Sequence, residues 1–241
     1  MTEAITNELK YKDSDRVVDY WRQGAFFNPF TFKLPIHVIG VGATGSHIVD
    51  TLANMGVRDI TAYDFDSVEG HNLPNQIYGI AHVGQPKVDA LKQHVQQKMG
   101  FDIKTVNEKV EQIPDLSGVL ILCTDSMAAQ KSICLTSARL NKKVSWVIET
   151  RMGIDQGRVY FFDPNNKNHL KRWVASCYSD EEAAESPCNL RAIATTAKCL
   201  AALAAHRIII ANKKAESEDK VPLFNESTVC MDGTIFNYVW D

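Results

Sequence analysis

A glycine-rich turn between an apolar strand and a helix constrains the fold of this chain more than any other feature. The turn reads Gly-Val-Gly-Ala-Thr-Gly over residues 40–45, with a predicted strand over 36–41 and a predicted helix over 44–55. Glycines permit the tight turn, and the N–H groups at a helix N-terminus bind phosphate. Asp64 ends the next predicted strand, where a carboxylate can bind ribose hydroxyls. The pattern predicts nucleotide binding, and by itself it suits NAD.

Strands and helices alternate from residue 36 to about residue 162, which predicts a parallel sheet with helices on both faces. The predicted fold is a Rossmann-like, doubly wound α/β domain, mostly parallel, with antiparallel strands toward the C-terminal part. Further strands are predicted at 59–64, 102–108, 118–123, 143–149, 157–162, 221–229 and 234–240. Further helices are predicted at about 86–99, 126–141 and 190–211, the last followed by a charged turn over 212–220.

The chain divides into an N-terminal arm and one domain. The arm, residues 1–34, is irregular and rich in aromatic residues, so we expect it to pack on its own domain or on a second subunit. The domain spans 35–241, with a polar excursion, a crossover loop, near 164–188.

Composition excludes several classes of function. A formal charge of −3 and a pI near 6.2 give no electrostatic reason to expect nucleic acid or an anionic membrane as partner. The first thirty residues lack a signal-peptide pattern, and the apolar stretch Cys199–Ala211 is too short to span a bilayer. None of the six cysteines forms a C-x-x-C pair, so no zinc knuckle is predicted. We expect a cytoplasmic protein with reduced thiols.

Three further segments favour a triphosphate over NAD. Asp64-Phe65-Asp66 is followed by Asn-Leu-Pro-Asn-Gln over 72–76, then by Gly-Gln-Pro-Lys over 84–87, and an apolar strand ends in Cys-Thr-Asp over 123–125. A triphosphate with Mg²⁺ needs both a cation and an oxygen ligand near its phosphates, which Lys87 and Asp125 would supply.

Together these segments resemble the ThiF/MoeB/HesA-type adenylyltransferases of the ubiquitin-activating enzyme superfamily, over about residues 36–165. The resemblance implies a dimeric enzyme that uses ATP and Mg²⁺. It also implies transfer of AMP to the C-terminal glycine carboxylate of a ubiquitin-like or sulfur-carrier protein, or to a peptide, with release of pyrophosphate.

The same resemblance implies roles for individual residues. Those expected to bind the nucleotide are Gly40, Gly42, Gly45, Asp64, Asp66, Asn72, Gln76 and Lys87. Those expected to act in catalysis are Lys87, Asp125, Asn72, Arg22 and Cys188. Asp125 would hold Mg²⁺, and Arg22, from an Arg-Gln pair, would enter the partner subunit's site. Cys188 resembles a cysteine that some relatives use for a thioester or persulfide, although an unreactive packing cysteine is the alternative.

One difference from the family's sequence pattern makes alternative functions possible. Asn75 stands where the family carries an arginine that contacts the triphosphate, and losing such a charge-assisted contact removes roughly 1.5–3 kcal/mol. Arg151 is a candidate replacement; otherwise it is a surface charge. A non-catalytic nucleotide-binding partner of an activating enzyme is therefore an alternative function, and an NAD-dependent oxidoreductase is a more distant one.

Overall fold

The structure is a computed structural model, and it describes residues 10–13, 16–24, 26–153, 156–179, 193–216, 223–230 and 232–240. The strands are β1 (Lys10–Asp13), β2 (Arg16–Asp19), β3 (Ile36–Ile39), β4 (Ile60–Tyr63), β5 (Lys104–Val106), β6 (Gly118–Leu122), β7 (Val144–Met152), β8 (Gln156–Phe162), β9 (Glu226–Cys230) and β10 (Ile235–Tyr238). The α-helices are α1 (Ala43–Asn54), α2 (Lys87–Met99), α3 (Met127–Ile133), α4 (Lys167–Ala175) and α5 (Ala194–Glu216).

One eight-stranded sheet forms the centre of the fold, in the order β10-β9-β8-β7-β6-β3-β4-β5. The strands from β5 to β7 in this order run parallel, and β8, β9 and β10 are antiparallel. The prediction of a mostly parallel, doubly wound sheet with antiparallel strands toward the C-terminal part is confirmed.

The strand order reverses between β3 and β6. From β3 the chain continues through α1 to β4 on one side, whereas β6 lies on the other side of β3. In open α/β sheets, ligands bind in the crevice beyond the carboxyl ends of the strands at such a switch point. The glycine turn follows β3 and the 123–125 segment follows β6, so both lie at this crevice.

Helices cover both faces of the sheet, as the alternation predicts. On one face α1, α2 and α5 bury apolar side chains such as Ile48, Leu91 and Ile208. On the other face α3 and α4 contribute Ile133 and Trp173. Burial of apolar surface on both faces is the main source of stability for a fold of this kind. It contributes about 25 cal/mol for each Å² removed from water.

Several predicted boundaries are wrong. The helix predicted over 126–141 is α3 followed by a π-helical turn over Cys134–Ala138. The charged turn predicted from residue 212 is instead the last part of α5, because the helix continues to Glu216 with Asn212 buried. The predicted excursion near 164–188 contains α4, whose Trp173 is fully buried and stacks on Phe162.

The arm packs on its own domain within the described residues. Tyr20, Phe27 and Phe32 are buried, and the Gln23 Nε2 amide donates to the Met55 carbonyl at 2.7 Å. The division into an arm over 1–34 and one domain over 35–241 remains a prediction.

Helix α5 is longer than the apolar stretch predicted from the sequence. Over Ala194–Lys213 it has the length and composition that a membrane span requires. In the fold it is a core helix, packed on α1, β7 and β8, and Arg207 on it donates to the Ser227 hydroxyl.

Candidate nucleotide-binding site

The three glycines of the turn have different surroundings. Gly40 has φ of +86°, and a Cβ there would lie 2.9 Å from the Cys123 carbonyl oxygen. A Cβ on Gly45 would lie 1.9 Å from the Gly40 oxygen. A Cβ on Gly42 would meet only the Gln76 side-chain amide, at 3.9 Å. Gly40 and Gly45 therefore shape the turn itself, and Gly42 borders the open space expected for phosphate.

The N-terminus of α1 is not capped by a side chain. Its N-cap is Gly42, and no acidic residue lies in the first turn. The first N–H groups of a helix have no partner within the helix, and the helix dipole adds positive potential there. This end of α1 can therefore bind an anion.

Asp64 holds the glycine turn in place. One of its carboxylate oxygens accepts from the Val41 N–H at 2.8 Å, and the other accepts from the Asp66 N–H at 2.9 Å. The Tyr78 hydroxyl donates to the Val41 carbonyl at 2.6 Å. Burial, and then the charge of Asp64, raise the pKa of Tyr78, so its hydroxyl stays protonated. A carboxylate oxygen accepts two hydrogen bonds, so Asp64 can also bind ribose.

The segment over 72–78 is tied to α1. The Ser46 hydroxyl accepts from the Ile77 N–H at 3.3 Å, and the His47 Nε2 lies 3.2 Å from the Asn75 carbonyl. Asn72 is buried, and its side-chain oxygen accepts from the Glu69 N–H at 2.9 Å. Asn72 thus stabilises the turn that carries it, in addition to any contact with a ligand.

The Gln76 side chain lies beside the glycine turn with an unused acceptor. Its Oε1 atom is buried and has no hydrogen-bond partner. A buried polar group without a partner costs free energy, so a donor from a bound ligand would be favourable here.

Lys87 is a buried cation at the start of α2. Its Nζ lies 2.7 Å from the Asp66 carboxylate, and its side chain is 9% exposed, compared with 50% for Asp66. The Lys87 N–H also donates to the Asp66 carbonyl, at 2.9 Å. An ammonium group has three donors, so Lys87 can bind phosphate while Asp66 orients it.

Asp125 lies on the loop after β6, and it is exposed. The loop begins beside the glycine turn, because the Cys123 N–H donates to the Ile39 carbonyl at 2.8 Å. It ends where the Ser126 hydroxyl caps α3 by accepting from Ala129. No three His, Cys, Asp or Glu side chains of the described residues gather into a metal site. Asp125 would therefore be the one protein ligand of Mg²⁺, and phosphates and water would supply the others. Mg²⁺ is usually bound in this way, by one or two carboxylates together with substrate phosphates and water.

One predicted catalytic residue, Arg22, does not lie at this crevice in its own subunit. Arg22 is exposed, and its neighbour Gln23 is bonded to Met55, at the opposite end of α1 from the glycine turn. Its predicted role in the partner subunit's site stays a prediction. Cys188 lies outside the described residues.

Arg151 is not a surface charge. It is buried, and its Nε lies 2.8 Å from the Glu149 carboxylate. One terminal nitrogen donates to the Ser176 carbonyl at 2.6 Å, and the guanidinium stacks on Tyr160 at 4.3 Å. The surface-charge alternative is wrong, because Arg151 is buried and bonded inside the fold. Its replacement of the family's arginine at the triphosphate stays a prediction.

The described thiols are free, as expected. Burial raises the pKa of Cys123 to about 12 and also raises the pKa of Cys177. A thiol is nucleophilic as the thiolate, so these two groups are poor nucleophiles at neutral pH.

Comparison with known proteins identifies the family to which this chain belongs. The model of the ThiF family matches residues 32–231. The chain belongs to the ThiF family. It is 29% identical over 104 residues to the molybdopterin-synthase adenylyltransferase of Haemophilus influenzae, which is 40% of this chain and 42% of the relative. It is 39% identical over 61 residues to the tRNA threonylcarbamoyladenosine dehydratase of Bacillus subtilis, 25% of this chain and 24% of the relative. Each alignment spans less than half of the relative's own length.

Solved structures share the fold at low sequence identity. The ThiF-family chain superposes on Escherichia coli MccB crystallised with MccA with a TM-score of 0.70 and 16% identity, covering 96% of this chain and 73% of MccB. It superposes on PaaA with a TM-score of 0.68 and 19% identity, covering 90% and 80% of the two chains.

Proposed function

We propose that this ThiF-family protein is an ATP-dependent adenylyltransferase that activates a carboxylate as an acyl-adenylate and releases pyrophosphate. The substrate would be the C-terminal carboxylate of a ubiquitin-like or sulfur-carrier protein, or of a peptide, in the cytoplasm. One observation carries the proposal: an uncapped helix N-terminus, the buried cation Lys87 and the carboxylate Asp125 all lie at the carboxyl edge of the parallel strands.

The relatives support the same chemistry. The Haemophilus protein is named as an adenylyltransferase of molybdopterin synthase, and MccB has been crystallised with ATP and with MccA. These names describe the relatives, and the activity of this chain is our proposal.

The proposed reaction needs few side chains. A peptide carboxyl group has a pKa near 3.3–3.7, so the nucleophile is ionised at pH 7 and needs no general base. A carboxylate oxygen bonds to the α-phosphorus, and the bond from that phosphorus to the bridging oxygen of pyrophosphate breaks. The N-terminus of α1 and Lys87 would bind the phosphates, and Asp125 would hold Mg²⁺. Bound Mg²⁺ neutralises charge that develops on the leaving pyrophosphate.

The test is ATP–pyrophosphate exchange with purified protein, Mg²⁺ and a glycine-terminated ubiquitin-like protein or peptide. We expect exchange that depends on the carboxyl tail and falls about 100-fold or more in Asp125→Ala and in Lys87→Met. The matched controls are Asp102→Ala and Lys92→Met, which remove exposed charges away from the crevice and should retain full exchange. Exchange at the wild-type level in Asp125→Ala would contradict the proposal.

A homodimer with Arg22 acting in the partner's site is part of the proposal. Arg22 is exposed on the arm, away from its own glycine turn. Mixing inactive Arg22→Ala with inactive Asp125→Ala, under conditions of subunit exchange, should restore part of the activity. In the mixed dimer, one site keeps Asp125 and receives the intact Arg22 of the other subunit. No recovery in verified mixed dimers would contradict action in the partner's site.

A non-catalytic nucleotide-binding subunit is the second candidate. Asn75 in place of the family's arginine favours it, and so do the bonds that Arg151 makes inside the fold to Glu149 and Ser176. Calorimetry with ATP separates the two candidates: ATP binding without exchange, across a panel of carboxylate substrates, would favour the non-catalytic subunit. We expect no enhanced fluorescence from NADH, which would be seen if the site were that of an oxidoreductase.

A further inference from the structure

A cavity of about 320 Å³ lies between the N-terminal arm and the region just after α1. Its apolar walls are Pro29, Phe30, Phe32, Leu34 and Val57. Helix α1 has 12 residues and is therefore about 18 Å long. The glycine turn lies at one end of this helix, and the cavity adjoins Gly56 beyond the other end. The cavity is thus separate from the nucleotide crevice, at the opposite edge of the parallel strands.

Tyr20 lines this cavity, and its buried hydroxyl is unsatisfied. Tyr20 is 6% exposed, and its hydroxyl is buried without a hydrogen-bond partner. A Cβ on Gly56 would lie 2.8 Å from the Tyr20 Cζ, so the hydroxyl end of the ring lies next to Gly56 at the cavity. Buried hydroxyl groups are normally hydrogen-bonded, because burial without a partner costs free energy. An acceptor on a molecule in the cavity would satisfy this hydroxyl.

The charges around the cavity favour an anion. Arg58 and Lys33 line it, together with Asp59. Asp59 is paired with Lys104 at 3.0 Å, which offsets its negative charge. Arg58 and Tyr20 line the same cavity. Burial raises the pKa of Tyr20, and the positive charge of Arg58 partly opposes that rise. The Arg58 guanidinium stacks on the Phe101 ring at 4.9 Å, which holds it in this region.

We infer that this cavity binds a small carboxylic acid with an aromatic or branched apolar body. The apolar body packs against Phe30, Phe32 and Val57, and a carboxylate oxygen accepts from the Tyr20 hydroxyl near Arg58. The volume matches the lower end of small-molecule sites, roughly 300–1,000 Å³, and apolar walls with few polar groups are typical of them. The inference does not depend on the proposed adenylyl transfer, because the site is at the other edge of the sheet.

The test uses phenylacetate as the probe and full-length protein labelled with 3-fluorotyrosine. We expect the Tyr20 fluorine signal, assigned by its loss in Tyr20→Phe, to shift saturably with a dissociation constant of about 1 mM or tighter. Saturating probe should also raise the midpoint of thermal unfolding, because it binds only the folded state. Phenylacetamide, which has the same shape without the charge, should bind about fivefold more weakly.

Two variants and one control locate the site. Leu34→Trp fills the cavity and should abolish the shift of the Tyr20 signal, whereas Leu140→Trp, on an exposed residue, should leave it intact. Tyr20→Phe should fold at least as well as wild type and lose about fivefold in probe affinity measured by thermal shift. No saturation by 10 mM phenylacetate (roughly ten times the expected constant), or equal binding by Leu34→Trp, overturns the site. Equal binding of phenylacetamide overturns the carboxylate.

Discussion

At the residue scale, two glycines of the turn are needed for its folding, and the third is expected to leave space for ligand binding. Gly40 and Gly45 are required because a Cβ at either position would contact backbone atoms at 2.9 Å or less. Gly42 has no such neighbour, so its missing side chain leaves open the space in front of α1. Substitutions at the two kinds of position should therefore have different consequences.

We expect Gly42→Ala to weaken ATP binding about 10-fold, because the added methyl group occupies the space where the phosphate meets the helix N-terminus. Gly45→Ala should instead destabilise the fold by about 1–3 kcal/mol, since its Cβ would overlap the Gly40 carbonyl. Isothermal calorimetry with ATP and urea denaturation measure the two effects.

Gly79→Ala is the matched control for Gly42→Ala. A Cβ on Gly79 would have no atom within 4 Å. ATP affinity and stability should both stay near the wild-type values. Wild-type ATP affinity in Gly42→Ala would show that the phosphate does not approach this face of the turn.

The sequence predicts the glycines and Asp64 because their spacing and strand–turn–helix context are local. The positions of Gly40, Gly42, Gly45 and Asp64 at the switch point follow from that context. The sequence does not predict Tyr78 as the residue that holds the turn, because a tyrosine in a long loop has no periodicity and its contact with Val41 spans 37 residues.

At the element scale, the loop between β4 and α2 is attached to the glycine turn by hydrogen bonds of Asp64 and Tyr78. Tyr78 donates to the Val41 carbonyl while Asp64 accepts from the Val41 N–H, so the Val41 backbone is fixed on both sides. The glycine turn is therefore held in shape before any nucleotide binds, which lowers the cost of binding.

We expect Tyr78→Phe to reduce stability by about 1 kcal/mol and ATP affinity severalfold. The buried Val41 carbonyl loses its donor, and the turn gains freedom that ATP binding must then remove. Calorimetry measures the affinity and urea denaturation the stability. Tyr238→Phe, on an exposed residue of β10, is the control and should change neither. Unchanged ATP affinity in Tyr78→Phe, with reduced stability, would limit Tyr78 to a structural role.

A charge cluster joins α1 to α2. Asp50 on α1 lies 2.9 Å from His94 and 2.7 Å from Lys98, both on α2. Burial pushes the pKa of Asp50 up, but the hydrogen bonds and charges of His94 and Lys98 outweigh this and lower the pKa to about 2. A lowered pKa in the folded state stabilises the protein above the unfolded-state value and loses this contribution as the pH falls toward 2.

We expect Asp50→Asn to lower the free energy of unfolding by about 1–2 kcal/mol at pH 7. The difference from wild type should shrink between pH 4 and pH 2, as Asp50 is protonated in the folded wild-type protein. Urea denaturation across this range measures it. Asp59→Asn, which removes an exposed partner of Lys104, should cost less than about 0.5 kcal/mol. A difference independent of pH would rule out the charge as the cause.

The helices and strands are largely predictable from the sequence, but some of their ends are not. Apolar spacing predicts α1 and α2 to within a residue, because Gly42 and Pro86 precede them and Gly56 and Gly100 follow their ends. The end of α5 is predicted wrongly because the charged residues after Asn212 read as a turn. They continue the helix, since lysine, alanine and glutamate all favour helix and burial of Asn212 holds the last turns in place.

At the scale of the whole molecule, β7 joins the parallel and antiparallel halves of the sheet. It pairs with β6 in parallel and with β8 in antiparallel fashion. Glu149 on β7 is fully buried and bonded to Arg151 and to the Trp173 indole, while Arg151 also bonds to Ser176 after α4. This cluster connects β7 to α4. The sequence does not predict it, because the strand predicted over 143–149 ends before Arg151, and because the predicted excursion near 164–188 contains no predicted helix.

We expect Glu149→Gln to destabilise the fold by about 3–5 kcal/mol, the cost of leaving a buried guanidinium without its counter-charge. Glutamine keeps the size of the side chain and can still accept from Trp173, so the loss reports the charge alone. Urea denaturation measures it, and Glu111→Gln, on an exposed carboxylate, should change stability by less than about 0.5 kcal/mol.

The double variant Glu149→Gln/Arg151→Met separates loss of the charge pair from general disruption of the core. Removing both charges eliminates the unpaired buried cation, and replacing a buried ion pair by apolar groups is often neutral. We therefore expect the double variant to recover at least half of the stability lost in Glu149→Gln. If it is less stable than the single variant, the hydrogen bonds of Arg151 to Ser176 stabilise the junction more than the charge pair does. Arg151 would then join β7 to α4 independently of Glu149.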